Sequence, residues 1–238
     1  MKSIKNKNVL IFCVGLNNYD RMYQRCIESH RRYAEREGYH YQLINKPGKA
    51  SITASAWLKI PLIIKALENG YDWVAFIDAD CEIKSEMPPL ESLSVEDKYL
   101  YMANGFSGRI NSGVMIIRNG EDVKHLFRTI YEHSNDEVPS ADWGENGHLI
   151  HFASRWEGLQ LLDTRWNNNF KPDLQDYIRH YSAGGPMRSL YPASRAEKAV
   201  RLCQYFKNKL NRKKYLPRHQ TYQAIDNLVQ QVLVQDAF

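Results

Sequence analysis

The chain has 238 residues, of which 43% are hydrophobic and 25% are charged. This composition excludes an intrinsically disordered or fibrous protein, and the length is enough for one sizeable α/β domain with an appendage. No stretch of about 20 apolar residues occurs, so the sequence predicts no membrane-spanning helix.

The formal net charge of +5 is unevenly distributed along the chain. Residues 195–218 contain nine Lys and Arg residues and a single acidic residue, Glu197, so the remainder is slightly acidic. The four cysteines lie far apart and form no Cys-x-x-Cys pair: Cys13, Cys26, Cys81 and Cys203. This spacing argues against a disulfide framework or a zinc knuckle and fits a protein of the reducing cytoplasm.

The first predicted strand is the apolar run at residues 9–16. Lysines precede it, as in a signal peptide, but the run is short and no small-residue cleavage site follows. Because it is continuously apolar, we expect a strand that is covered on both faces. The loop at its carboxyl end, with Val14, Gly15 and Asn17, is a candidate seat for a nucleotide.

A helix over residues 20–37 and a strand over residues 39–44 are predicted next, which completes a β-α-β unit. Gly38 is placed to end the helix, and His30 lies on its apolar stripe, where we expect a core histidine.

A second helix is predicted to begin at Thr53 or Ser55, either of which could cap it, and to stop at Gly70. Pro61 should either kink this helix or mark its true first turn.

The strand around which the rest is organised is the apolar run at residues 73–77, which ends at two carboxylates, Asp78 and Asp80. In extended chain these side chains can point the same way, while Ala79 between them is turned away. Paired carboxylate oxygens suit Mg²⁺ or Mn²⁺, and such an ion keeps open positions for substrate phosphates.

Two more strands are predicted at residues 100–103 and 114–117, and helices at residues 121–133 and 147–156. Alternating strands and helices with short links predict a three-layer α/β sandwich with a mostly parallel sheet.

Four polar clusters follow the aspartates: Asn111-Ser112-Gly113-Val114, the run at 143–148, the run at 163–169 and the run at 178–188. The first offers two short hydrogen-bonding side chains for sugar hydroxyls, although alone it is also typical of a turn. The second places Glu145 and Asn146 before a helix, where a helix cap is the simpler interpretation. The third is a polar loop without an evident role.

The fourth cluster joins a histidine to glycines and a cation. His180 could be the third protein ligand of a metal ion. Gly184 and Gly185 would let backbone amides approach a phosphate, which Arg188 could neutralise bidentately.

The order of these motifs resembles that of retaining glycosyltransferases of the GT-A type. The series is Ile77-Asp78-Ala79-Asp80, Asn111-Ser112-Gly113-Val114, Glu145-Asn146-Gly147 and His180-x-x-x-Gly184. The nearest resemblance is to the glycogenin and lipooligosaccharide galactosyltransferase family and to the Golgi α-galactosyl and xylosyltransferases. It runs from the first strand to about Arg188, and it implies a GT-A fold, a Rossmann-like three-layer sandwich, with a C-terminal helical extension.

The resemblance also implies roles for single residues. Mn²⁺ (or Mg²⁺) would be held by Asp78, Asp80 and His180 against the diphosphate of a nucleotide-sugar donor, most simply a UDP-sugar. The donor contacts would come from these residues: Val14, Gly15, Asn17, Lys59, Asp78, Ala79, Asn111, Ser112, Gly184, Gly185 and Arg188. Glu145 and Asn146 would occupy the place of the family's Asp-Gln pair beside the anomeric carbon. This chain departs from the pattern there by a methylene at each residue, and its last motif has a longer spacer and an Arg.

The predicted function is transfer of a hexose or pentose to a glycan or glycolipid acceptor, in surface polysaccharide or lipopolysaccharide synthesis. Retention would follow from attack on the leaving-group face or through a covalent intermediate on Glu145, whereas inversion would need Glu145 or Asp142 as general base. Two alternatives stay open: a metal-dependent phosphohydrolase, and a non-catalytic module that binds sugar nucleotides or glycans. The phosphohydrolase motif normally opens its domain, whereas here a β-α-β unit precedes it.

We expect the transferase domain to cover residues 1–193 and a basic helical extension to cover residues 194–238, with a last helix at 222–234. The extension is predicted either to pack on its own domain or to contact an anionic membrane surface, where each nearby Lys or Arg contributes about 1 kcal/mol. No nucleic-acid recognition motif accompanies the charge. The expected location is the cytoplasm, with the inner face of the membrane as the site of that contact.

Overall fold

A computed structural model describes residues 8–210 and 221–233. The strands in these residues are β1 (Val9–Val14), β2 (His40–Ile44), β3 (Trp73–Ile77), β4 (Cys81–Ile83), β5 (Leu100–Ala103), β6 (Val114–Arg118), β7 (Leu159–Leu162) and β8 (Ile178–His180). The α-helices are α1 (Tyr19–Met22), α2 (Gln24–Glu37), α3 (Ile52–Trp57), α4 (Lys59–Glu68), α5 (Glu121–Glu132), α6 (Glu145–Ala153), α7 (Arg195–Leu210) and α8 (Thr221–Leu233). Short 3₁₀ helices lie at Leu90–Leu93, Ala141–Trp143, Thr164–Trp166 and Pro186–Leu190.

The main sheet has six strands in the order β2-β1-β3-β6-β5-β7. Strand β1 pairs in parallel with β2 and β3, and β5 pairs in parallel with β7, while β6 is antiparallel to both of its neighbours. The carboxyl ends of β1, β3 and β5 therefore meet the amino end of β6 at one edge of the sheet. In such sheets, ligands bind beyond the carboxyl ends of the strands.

Successive side chains of each strand pack into two different cores. On β1, Leu10 and Phe12 join the core that contains α3 to α6 and α8, whereas Val9 and Ile11 join the core that contains α2. All five residues of β3 are buried, as the continuous apolar run predicts. The predicted three-layer α/β sandwich with a mostly parallel sheet is confirmed.

Both predicted long helices are interrupted. The first breaks at Tyr23, whose φ of −134° and ψ of 35° are not helical, and it ends at Gly38 as predicted. The second divides at Leu58, because Pro61 has no N–H to donate to the carbonyl of Trp57 one turn earlier. Its cap is Ser51, whose hydroxyl accepts from the backbone N–H of Ala54, so the prediction of Thr53 or Ser55 was wrong.

Three strands were not predicted as separate elements. Strand β7 joins the sheet at its edge beside β5, and β4 and β8 form a second, two-stranded antiparallel sheet. In that small sheet Cys81 lies opposite His180 and Ile83 lies opposite Ile178. This pairing brings the late segment of the chain against the residues that follow β3.

The described part of the C-terminal segment contains the helices α7 and α8, and both contact the rest of the chain. Helix α8 contributes Ile225, Leu228 and Val232 to the larger core, and the side chain of Glu197 on α7 is buried. No helix among the described residues is both long and apolar enough to cross a bilayer. All four cysteines are free thiols, and only Cys203 is exposed.

Candidate active site

A cavity of about 410 Å³ opens at the edge where β1, β3 and β5 end and β6 begins. It brings together residues from segments far apart in the sequence. Its lining consists of Val14, Tyr19, Asp78, Ala79, Asp80, Gly105, Phe106, Ser107, Asn111, Ser112, Gly113, Trp143, Asn146, Asn169, His180, Ser182 and Ala183. Eight of the predicted site residues are in this set.

Asp80 is the carboxylate of the cavity that contacts two basic side chains. Arg188 donates from Nη1 to Oδ2 at 2.7 Å, and Nε2 of His180 lies 3.3 Å from Oδ1. Burial alone would raise the pKa of Asp80, but the hydrogen bonds and charges of His180 and Arg188 outweigh it and hold that pKa below its ordinary value. Asp80 is therefore an ionised carboxylate between two basic groups.

His180 is held in one orientation by a buried amide. Its Nδ1 lies 2.8 Å from Oδ1 of Asn167, and the Asn167 side chain also donates to the carbonyl and to Oδ1 of Asn111. Because Asn167 Oδ1 can only accept, it selects the imidazole form with the proton on Nδ1 and turns Nε2 toward Asp80. Metal-ligating histidines are held in this way through their other ring nitrogen.

Gly113 makes room for the imidazole. A Cβ atom at this position would lie 2.3 Å from Cε1 and 2.8 Å from Nδ1 of His180. Any larger residue there would displace the ring, so the small residue of the Asn-Ser-Gly motif has a direct role in the site.

The side chains fit a divalent cation. Asp80, His180 and Cys81 each place one possible ligand atom within 4.8 Å of the other two. Within residues 8–210 and 221–233, this is the one group of three such side chains close enough to hold a metal ion. Burial raises the pKa of the Cys81 thiol well above its ordinary value, and its Sγ donates to the Gly113 carbonyl at 3.7 Å. The Asp80 carboxylate and the His180 imidazole are the two members of this cluster that line the cavity and could ligate such an ion.

Asp78 lines the same cavity but is not a member of that three-atom cluster. Its Oδ1 lies 3.7 Å from Nζ of Lys59, and about a third of its side chain is exposed. Partial burial raises the pKa of Asp78 to about 6, an effect that Lys59 opposes and the neighbouring charge of Asp80 reinforces.

Lys59 and Glu145 form a buried ion pair behind the cavity wall. The Lys59 Nζ lies 3.0 Å from Oε1 of Glu145 and 4.6 Å from the centre of the Phe76 ring. Burial would lower the pKa of Lys59, but the charges of Asp78 and Glu145 raise it above its ordinary value. The same Glu145 oxygen accepts from the hydroxyl of Ser112 at 3.2 Å.

Asn146, and not Glu145, lines the cavity. Its Oδ1 accepts from the backbone N–H of Ser112 at 2.8 Å. The amide nitrogen is then the group that Asn146 can offer to a ligand.

The remaining predicted residues lie around the cavity without lining it. Asn17 donates to the Ser55 hydroxyl and accepts from the N–H of Ala50, so its side chain ties the first loop to α3. Seven predicted residues are outside the lining: Gly15, Asn17, Lys59, Glu145, Gly184, Gly185 and Arg188. The side chain of Asp142 lies outside the described part of the structure.

The sequence did not reveal the part played by the three consecutive asparagines, Asn167, Asn168 and Asn169, which are all fully buried. Asn168 binds Asp176, and Asn169 accepts from the backbone N–H of Phe106. Three adjacent amides are unusual in a core, because each buried polar group needs a partner. The run of three asparagines was therefore the feature of the sequence that could have indicated their role.

No protein-family model matches the chain, and no curated protein matches its sequence. Solved structures share its fold. A crystal structure of a glycosyltransferase involved in the glycosylation of the major capsid of PBCV-1 is 15% identical, with 80% of this chain and 97% of that chain covered and a TM-score of 0.57.

Two crystal structures of the glycosyltransferase GlyE from Streptococcus pneumoniae TIGR4 are each 14% identical. The first covers 90% of this chain and 66% of GlyE with a TM-score of 0.56. The apo form covers 86% and 64% with a TM-score of 0.57. The chain thus spans about two thirds of the length of GlyE. These likenesses establish a GT-A-like glycosyltransferase fold.

Proposed function

We propose that the protein is a metal-dependent glycosyltransferase, which moves a hexose or pentose from a nucleotide-sugar to a glycan or glycolipid. The observation that carries this proposal is the meeting of Asp80, His180 and Arg188 at the carboxyl edge of a glycosyltransferase-type sheet. A carboxylate and an imidazole that line one cavity, with a guanidinium bound to that carboxylate, suit a cation and a diphosphate together.

Asp80 and His180, with Asp78 beside them, would hold Mn²⁺ (or Mg²⁺). When bound, the ion supplies positive charge to the diphosphate that departs. Arg188 lies against Asp80 and adds a second positive charge on the same side. Its guanidinium packs 4.8 Å from the centre of the Tyr23 ring, which limits the directions that it can take.

The donor would extend from the end of β1 toward the start of β6. Val14 and Tyr19 form the cavity wall near β1, where the nucleoside would lie, and we propose a UDP-sugar. Asn111, Ser112 and Asn146 lie on the β6 side and would bind the hydroxyls of the transferred sugar.

In the reaction, an acceptor hydroxyl oxygen forms a bond to the anomeric carbon, and the bond from that carbon to the diphosphate oxygen breaks. The hydroxyl proton passes to the departing diphosphate oxygen or, in an inverting reaction, to a general base. Glu145 is already engaged by Lys59 and Ser112. This arrangement favours attack on the leaving-group face, with retention, over a covalent intermediate on Glu145. Asp142 remains the candidate base for an inverting reaction.

The test is a screen of UDP-, GDP- and CMP-sugars for Mn²⁺-dependent thermal stabilisation and for donor turnover. We expect Asp80→Ala to abolish both while the fold persists. Asp136→Asn removes a solvent-exposed carboxylate and is the matched control. Turnover by the wild type that continues after the metal is chelated would refute the proposal. Phosphate-ester cleavage without sugar transfer would favour a phosphohydrolase, and binding without turnover would favour a non-catalytic module.

We also propose that the enzyme acts in the cytoplasm in the synthesis of surface polysaccharide or lipopolysaccharide, with α7 in contact with the membrane. Leu202, Tyr205 and Phe206 are exposed on α7, within the basic segment of residues 195–218. Three further basic residues of this segment, Arg212, Lys213 and Lys214, lie outside the described residues. Cosedimentation with phosphatidylserine vesicles, compared with phosphatidylcholine vesicles, tests this contact, and equal sedimentation of a Leu202→Ser/Phe206→Ser variant would contradict it.

A further inference from the structure

Two aromatic side chains line the cavity and yet are largely open to solvent. Phe106 is 57% exposed and Trp143 is 43% exposed. Aromatic rings of this size normally bury most of their surface, so a pair of exposed rings in a polar cavity indicates a place where a ligand covers them.

The sheet order places Phe106 at the end of the cavity away from β1, and Arg109 of the same loop stacks over Trp143. Phe106 follows β5, which is separated from β1 by β3 and β6. Neighbouring strands lie about 4.8 Å apart, so Phe106 starts about 14 Å along the sheet edge from the end of β1. The carboxylates that follow β3 lie between these two ends, and Trp143 comes two residues before Glu145.

Phe106 lies on a loop and Trp143 on the 3₁₀ helix Ala141–Trp143, and contacts hold both segments in place. The backbone N–H of Phe106 donates to Oδ1 of the fully buried Asn169 at 3.0 Å. Arg109 stacks over the Trp143 ring at 5.4 Å and donates to the hydroxyl of Ser140 at 2.8 Å, which ties one loop to the other. The segments that carry the two rings are thus in place before a ligand arrives, which reduces the entropy cost of binding.

We propose that Phe106 and Trp143 form the acceptor subsite, and that the acceptor is a glycan whose sugar ring lies against one or both aromatic faces. This inference rests on the proposed function, which places the donor sugar between the two ends of the cavity. The C–H groups on one face of a sugar carry partial positive charge, which the negative face of an aromatic ring attracts. Ser107 and Ser182 line the same cavity and offer hydroxyl groups to the rim of the sugar.

The alternative ligand of these two rings is the nucleobase of the donor, because aromatic side chains also stack on bases. The two occupants give opposite results when single rings are removed. Loss of a ring that holds the acceptor weakens sugar binding alone, whereas loss of a ring that holds the base weakens nucleotide binding.

The experiment compares Trp143→Ala and Phe106→Ala with Leu161→Ala, which removes another exposed apolar side chain, 52% exposed and outside the cavity. UDP affinity is measured by calorimetry with Mn²⁺ present. Sugar binding is measured by saturation-transfer NMR and titration with methyl glucosides, methyl galactosides and lactose, and thermal melting shows that each variant is folded.

We expect each ring variant to bind the sugars roughly tenfold more weakly, to keep its UDP affinity within about twofold, and to melt like the wild type. Leu161→Ala should match the wild type in all three measurements. Sugar binding that the ring variants retain, UDP binding that they lose, or a wild-type protein that binds none of these sugars would each overturn the assignment. If the wild type binds sugars through these rings but binds no nucleotide, the proposed function fails and the subsite stands.

Discussion

Replacing Lys59 by Met should destabilise the protein by an amount that depends on pH. Lys59 is 4% exposed, and its Nζ lies 3.0 Å from Oε1 of Glu145. Without the lysine, Glu145 would be a buried carboxylate with Ser112 as its remaining hydrogen-bond partner and no cation. Removing one member of a buried ion pair typically costs about 3–5 kcal/mol, because the other charge stays desolvated.

Protonation limits this loss. Adding a proton at pH 7 to a glutamate of ordinary acidity costs about 3.7 kcal/mol, and at pH 5 it costs about 1 kcal/mol. The folded variant can take up that proton on Glu145, so the loss of stability cannot exceed the cost of protonation. The difference between the wild type and Lys59→Met should therefore be about 3 kcal/mol at pH 7 and about 1 kcal/mol at pH 5.

Urea denaturation at both pH values, extrapolated linearly to water, measures the free energy of unfolding. The double variant Lys59→Met/Glu145→Gln should recover most of the loss, since neither charge is left buried. Lys124→Met is the matched control: its Nζ is only 2.8 Å from Glu121, but that carboxylate is 81% exposed, so we expect a loss below about 1 kcal/mol. A Lys59→Met loss that equals the control, or that is the same at both pH values, would refute this reasoning.

Three further predictions concern the histidines and their neighbours. Asn167→Ala should weaken Mn²⁺ binding about 10- to 100-fold, because His180 loses the partner that orients it; calorimetry without donor measures this, and unchanged affinity would contradict it. Gly113→Ala should abolish Mn²⁺-dependent thermal stabilisation, since its Cβ would lie 2.3 Å from the His180 ring; a normal thermal shift would show that the ring can move away. Burial lowers the pKa of His30 to about 4, below the value of about 6.5 of an unfolded histidine, so the neutral form stabilises the fold above pH 6.5 and this stability is lost as the pH falls toward 4. Relative to His30→Gln, the wild type should lose about 3 kcal/mol over that range in urea titrations, and parallel pH profiles of the two proteins would contradict the assignment.

The elements that could be predicted from the sequence are those whose structure is determined locally. The continuous apolar runs of β1 and β3 indicate buried strands whatever their neighbours are, and the two aspartates after β3 then fall at the edge of the sheet. The prediction of a mostly parallel α/β fold needs little more than these runs and the helices between them.

The elements that could not be predicted depend on partners far along the chain. Strand β8 has three residues, and it is a strand because it pairs with β4. The orientation of His180 by Asn167 depends on that register, and the Lys59–Glu145 pair joins residues 86 positions apart. Each of these side chains except Asn167 was a candidate on its own, but no local pattern indicates which of them touch.

The pairing of β4 with β8 also links ligand binding to the integrity of the last third of the protein. Asp80 precedes β4 and His180 ends β8. A cation bound by both residues would therefore cross-link two segments that are 100 positions apart. At a concentration of 100 times its dissociation constant, such a cation stabilises the folded protein by about 2.7 kcal/mol. Proteases should therefore cleave residues 163–190 more slowly once the cation is bound, so the protein should resist degradation best in its metal-bound form.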